Sequence, residues 1–442
     1  MKPSVCSHST VKLALALLLS MALYAWQGTI PREQSWMLLS LGAALFALAA
    51  LLYRYLREKP GNWWWWTGMV LRVSVLFYLP NLSDDYLRYL YDGQLSLLGI
   101  NPFLDYPATH LPTVNTTTAQ TALIEEKNYF TVYPPVAQWF FALVNGLATT
   151  MWSRVFLLKL CWLALEGMTL FLLPKALRHF GLAPHKSLWY ALHPLVIVEL
   201  IGNVHLEVGV AFGLTLALWA IGSRKAWWTG AGLGIAAAWK ILPVVIWPIV
   251  LRMRGRHNKA KVLLLSMALA GIPFLLYEPQ QTIGNVLESL RLYVNHFEFN
   301  GSLYPLGKAI FHPETSRQVI ATVLSFLFAA GYAALLIPLA RQRMAIPQFI
   351  VLVFLWYLIT ATTVNPWYLA PILVAATFTD YITPWVWSAT ILLSYSAFGS
   401  PTMQVPNHVL FVEYGSLALA ILIDLYRYGH FSPMAGLTKG KD

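Results

Sequence analysis

Asn81–Phe103, NLSDDYLRYLYDGQLSLLGINPF, opens the long polar interruption in an otherwise apolar chain. The interruption closes at 129–141, YFTVYPPVAQWFF. Asp84 and Asp85 follow directly on an apolar run, 68–80, where a membrane segment would leave the bilayer. On a helix starting near Ser83, Asp84, Arg88 and Asp92 share one face, and Asp85 points about 100° away. Charge at the edge of hydrocarbon is expensive, so this helix faces water, a headgroup or a bound ligand. Plain helix-start chemistry is the alternative: Asn81 or Ser83 as N-cap, with acids in the first turn. Capping leaves unexplained why Arg88, Asp92, Tyr86, Tyr89 and Tyr91 crowd the same short stretch.

Composition sets the class around that loop. The chain has 442 residues, 58% of them hydrophobic and 11% charged, with mean hydropathy +0.58. Soluble domains carry about 25% charged residues, so this is a membrane protein. The net charge of +11 raises nucleic acid as a partner, but the basic residues lie in short clusters between apolar runs, as in cytoplasmic loops. Cys6 and Cys161 have no metal-ligand spacing and predict no disulfide. No small-x-small cleavage site follows 13–25, which reads as a retained first span.

Apolar runs predict membrane helices from 12–16 to 26, and at 36–53, 63–80, 154–173, 187–201, 207–221, 262–277, 318–340, 346–361, 367–379, 384–398 and 409–426, with shorter pieces at 227–238 and 241–251. Most fall near or below the roughly 20 residues that span a bilayer. The expectation is therefore all-α: a single polytopic membrane bundle over 1–442, of about 12–14 transmembrane helices. One topology places the basic clusters, among them Arg54, Arg57, Arg178, Arg254, Arg341 and Arg427, together in the cytoplasm with both termini. It places 81–153 outside as a large extracytoplasmic acidic loop, along with 202–206, the 240 junction, 278–317, 362–366 and 399–408. It requires that 133–151 not cross, so that segment is predicted to be a juxtamembrane helix.

The outer turns collect polar residues. His205 and Glu207 follow Gly202 and Asn203; His296 and Asn300 lie in RLYVNHFEFNGSLYPLGK; Trp367 and Tyr368 lie in VNPWYLAP. Lys240, in AAAWKILPVVIWP, sits between two half-length apolar pieces and cannot snorkel to the basic side. It is either the apex of a hairpin, facing an anionic headgroup, or an ordinary interfacial lysine. Triplets for N-glycosylation occur at Asn81, Asn115 and Asn300. No phosphate loop, dinucleotide fingerprint or zinc spacing is present. A catalyst built this way takes an activated substrate from the membrane.

Taken in order, LSDDYLRYLYDGQLSLLGINPF, VYPPVAQWFFA, NVHLE, AAAWKILPVVIWP, FEFNGSLY and NPWYLAP resemble the glycosyltransferase C superfamily. Within it the chain looks most like bacterial polyprenyl-phosphate-mannose-dependent mannosyltransferases. The resemblance runs from about residue 80 to 372. It implies a multi-pass protein of the bacterial inner membrane. Such a protein moves a hexose, mannose by this likeness, from a polyprenyl-phosphate carrier to an extracytoplasmic lipid or glycan acceptor. It further implies a catalytic aspartate in the first outer loop, matched by Asp84 with Asp85 beside it. Some members hold a divalent cation, which here would fall to Asp84 and Asp85.

On that reading Asp84 takes the acceptor's proton and the anomeric centre inverts. Arg88 and Lys240 neutralise the leaving polyprenyl phosphate, and Asp85 either orients Arg88 or holds the metal. Tyr133, Trp367 and Tyr368 either stack on sugar, line the lipid groove or simply pack. His205, Glu207, His296 and Asn300 complete the substrate-facing set. The competing function is a polytopic transporter or flippase of lipid-linked saccharides. Against it, no repeated halves with matching broken helices occur.

Overall fold

The computed structural model describes residues 6–59, 61–310 and 317–428. Among them the chain is helical throughout: no strand forms, and the only extended pairing is a bridge between Phe299 and Thr363. Six helices are long and apolar enough to cross a membrane: Thr10–Gln27, Ser35–Leu56, Met151–His179, Arg256–Leu276, Arg317–Ala340 and Asn407–Tyr428. A continuous apolar core connects them, from Leu13 to Leu417.

The other apolar runs of the sequence form shorter apolar helices, such as Glu207–Gly222 and Ile346–Thr360, and several of them are broken rather than straight. The run 63–80 stops being helical at Val73. Its freed carbonyls, those of Val75 and Tyr78, accept from Lys159 Nζ at 2.7 Å each. This fully buried ammonium replaces the N–H donors that a continuing helix would have supplied. Pro194, which has no N–H to give, cuts 187–201 into Ser187–Ala191, Pro194–Val196 and a π-helical turn, Ile197–Gly202. The run 384–398 becomes Thr383–Thr390 followed by the tighter Ile391–Gly399. Every residue of 190–202 is buried, so packed neighbours satisfy its polar groups where regular hydrogen bonding lapses.

Three of the core's helices are also tied by charge. Arg72 meets Glu166 at 2.7 Å and donates to the carbonyls of Gly68 and Ala191. Tyr190 donates to the other Glu166 oxygen at 2.7 Å.

The large loop contains Asp85–Leu97, a short turn Pro107–Thr113, Thr118–Glu126 and Pro135–Leu147. The last of these spans 13 residues and lies along Asp85–Leu97 instead of continuing into the next helix. Thr150 stops it there, since its hydroxyl caps the Ser153 amide and starts Met151–His179 afresh. Gly93 permits the close approach: a Cβ there would stand 2.3 Å from the Phe141 carbonyl.

A second close pair is the antiparallel hairpin of Glu207–Gly222 and Ala226–Trp239. A Cβ on Gly213 would lie 2.6 Å from the Ala236 nitrogen. Small residues thus let the two backbones meet. The hairpin brings Glu207, at the start of one helix, beside Lys240, just past the end of the other.

Candidate active site

The loop reaches the bundle through two asparagines. Asn81 Nδ2 donates to the carbonyls of Gln27 and Ile30. Asn203 Oδ1 accepts from the amides of Asn81 and Leu82. Ser83 then supplies the helix-start bond, its Oγ accepting from the Asp85 amide at 3.3 Å. Asp84 occupies the N-cap position but makes no capping bond. Its Oδ2 instead accepts from Arg32 Nη1 at 2.7 Å, with the side chain 40% exposed. Capping therefore does not account for Asp84.

Asp85 turns elsewhere. Its Oδ2 lies 3.8 Å from His205 Nδ1, and the other ring nitrogen, Nε2, lies 3.4 Å from Glu199 Oε2. The imidazole is stacked on Trp367, with ring centroids 3.7 Å apart. The backbone that delivers it is unusual: the π-helical turn ends at Gly202, and Val204 adopts φ +56°. A β-branched residue in the left-handed region is costly, and such strain collects at functional sites. Burial pushes the Asp85 carboxyl above the usual carboxylate range, opposed first by Lys127 and then by Lys240. Burial, with Lys240 next, holds His205 well below the usual imidazole value and so keeps it neutral.

Lys240 forms an ion pair with Glu207 and sits 4.0 Å above the Tyr368 ring. Tyr368 in turn shares a hydrogen bond with Tyr293, 3.1 Å between hydroxyls. Asp84, Asp85, Tyr133, Glu207, Lys240, Asn300, Trp367 and Tyr368 all line one cavity of about 900 Å3. His205 stands immediately behind Trp367 in its wall. Asn300 adopts φ +49°. Its amide donates to the buried Glu413 at 3.0 Å, and its carbonyl accepts from Tyr414. His296 ends the helix Pro279–His296; its side chain is outside the described residues.

Arg88 does not join this set. Its Nε donates to Asp92 at 2.6 Å, and its other nitrogens reach the carbonyls of Lys127 and Tyr129 at 3.4 and 3.1 Å. Gln138 holds the second Asp92 oxygen at 3.1 Å. The face shared by Arg88 and Asp92 points into the loop's own packing, so the expected orienting contact from Asp85 to Arg88 is absent. The two acids of the pair also diverge to different partners. Among the described residues no group of three or more His, Cys, Asp or Glu could hold a metal ion. This donor set does not fit a divalent cation.

Among the cavity residues that escape sequence reasoning are Arg32, Lys127 and Tyr293. A signal for Arg32 does exist, since an arginine in the short turn after the first span breaks the basic-inside pattern. Lys127 and Tyr293 carry no comparable mark.

The family model for the alpha-(1->6)-mannopyranosyltransferase N-terminal domain, MptA_B, matches residues 7–256. The chain belongs to this family. It is accordingly a mannosyltransferase, a glycosyltransferase with a sugar donor and an acceptor. The match begins ahead of the acidic loop, so the two leading helices, whose connecting turn supplies Arg32, are part of the family domain. It extends past Lys240 and stops before Tyr293, Asn300, Trp367 and Tyr368. No curated protein and no solved structure matches the chain.

Proposed function

We propose that this mannosyltransferase takes mannose from a polyprenyl-phosphate carrier and transfers it, with inversion, to a lipid or glycan acceptor at the extracytoplasmic face. The carrying observation is Asp84. It caps nothing, is anchored by Arg32, and lines a cavity whose walls also hold the Glu207–Lys240 pair and the Trp367–Tyr368 turn. In the proposed reaction the acceptor oxygen attacks the anomeric carbon from the side opposite the phosphate. Asp84 takes the hydroxyl proton as the new C–O bond forms. The bond from the anomeric carbon to the phosphate oxygen breaks, and its electron pair leaves with the phosphate.

The aromatic wall supports sugar binding, since Trp367 and Tyr368, packed edge to face on each other, line the same cavity as the acids. Lys240 serves the site through Glu207 and the Tyr368 ring, holding the wall in place. Both termini are proposed to be cytoplasmic and the cavity to open on the opposite side. The test is direct. Purified protein is incubated with labelled polyprenyl-phosphate-mannose and candidate lipid and glycan acceptors, and a mannosylated product is expected. Absence of product with every acceptor, alongside intact folded protein, would remove the reading.

A further inference from the structure

Arg32, Arg317, Lys127, Lys240 and Lys308 line the cavity, and they are not equivalent. Arg32 is bound to Asp84, Lys240 to Glu207, and Lys308 to Glu298 at 2.8 Å. Lys127 lines the same cavity and has no ion-pair partner among the described residues. Its sequence neighbours Glu125 and Glu126 do not pair with it. It shares the cavity lining with Asp84 and Asp85, and its positive charge opposes the burial that raises the Asp85 carboxyl.

The backbone that carries Lys127 is fixed with unusual care for a loop. Lys127 closes the helix Thr118–Glu126, its amide on the Leu123 carbonyl at 2.8 Å. The Lys127 carbonyl then takes the Tyr129 amide at 3.0 Å and Arg88 Nη1 at 3.4 Å. Arg88 also holds the Tyr129 carbonyl, and Arg88 is itself locked by Asp92, which Gln138 secures. A buried guanidinium, neutralised by one carboxylate, thus serves to pin 127–129 against the cavity. The free ammonium at the end of that arrangement is left available for an anion.

We propose that Lys127 binds the phosphate of the lipid carrier, with Arg88 and Asp92 as the positioning clamp behind it. The proposal rests on the transferase reading above and names the group that meets its leaving phosphate. Before transfer the carrier phosphate is a diester with one negative charge. When its bond to the anomeric carbon breaks it becomes a monoester and gains a second. An ammonium at this point gains most as that charge develops, which is where binding raises rate. Lys127 therefore favours the spent carrier over the loaded one.

The experiment measures binding of polyprenyl phosphate and of polyprenol of the same length to the purified full chain. Lys127 is half-buried and bonds to no other side chain, so its substitution leaves the packing intact. Wild type is expected to prefer the phosphate by about tenfold or more, the scale of one charge-assisted contact. Lys127→Ala should lose that preference while binding polyprenol as before, and Lys127→Arg should keep much of it. Inorganic phosphate is the third probe. Competition in wild type, lost in Lys127→Ala, supports the site with a free anion as sufficient ligand. No competition, with the lipid preference intact, supports it with the lipid-borne headgroup required. A phosphate preference in Lys127→Ala equal to wild type would overturn the proposal. The outcome is separable from the enzyme reading. A wild type that transfers no mannose yet discriminates through Lys127 loses the reaction and keeps the site. A Lys127→Ala variant with wild-type kcat/KM and undiminished phosphate preference keeps the reaction and loses the site.

Discussion

Asp84 meets Arg32 outside the helix, whereas Asp85, one residue on, turns inward toward His205. Their substitutions should therefore separate. Asp84→Asn is expected to abolish turnover with folding and donor binding retained, because the amide keeps the shape but cannot take a proton. Single-turnover assays beside donor binding check it, and wild-type turnover would remove Asp84 as base. Asp85 invites a stability test. Its folded pKa is raised, so between the ordinary carboxylate value and that raised value the folded state holds the extra proton. Stability is then lost as pH rises through this window. Asp85→Asn removes the burdened charge and should raise the Tm at neutral pH, with the gain shrinking as pH falls. A Tm lowered at neutral pH would contradict this. For Lys240 the structure changes the forecast. Removing one member of a buried pair costs about 3–5 kcal/mol, and less here because Lys240 is 34% exposed. Lys240→Ala should destabilise, and Glu207→Gln added to it should restore part of the loss in thermal melts. Equal Tm values for the single and double variants would show that Glu207 is not the cause.

At the scale of elements, the site depends on two helices lying closer than ordinary side chains allow. Gly93→Ala would press a Cβ onto the Phe141 carbonyl, a backbone atom that cannot swing aside. A cost of about 1–3 kcal/mol is expected, with loss of activity, because the same helix begins at Asp85, directly after Asp84. Gly146→Ala is the control, since its Cβ would meet Leu97 no nearer than 3.6 Å. Equal melts for the two would disprove the packing argument. Elements were also where sequence reasoning worked best and failed most. The short helices inside 81–153 and the break at Lys240 between two short apolar elements were legible, because polar interruptions and prolines in apolar sequence have few explanations. The breaks at Val73 and Pro194 were not. Hydropathy measures the cost of leaving the bilayer, and a buried lysine such as Lys159 can satisfy a broken end unseen. Arg88 shows a related limit: helical spacing tells which residues share a face, and not whether that face meets a ligand or the loop behind it.

For the whole molecule, 28–34, 81–135, 203–206, 240 and 297–301 contribute to one end, although they are scattered through the sequence. If that end is extracytoplasmic, Ala119→Cys, exposed in the loop, should react with an impermeant thiol reagent on intact cells, once Cys6 and Cys161 are replaced. Reaction only after permeabilisation would invert the topology. The fate of the three asparagine triplets carries the same question into a different experiment. Asn81 and Asn300 spend their amides on carbonyls and on Glu413, while Asn115 stands exposed. A chain made in a host that glycosylates its secretory proteins should therefore carry a single oligosaccharide, on Asn115. One step in gel mobility, erased by Asn115→Gln, would then report folding and sidedness in the same lane.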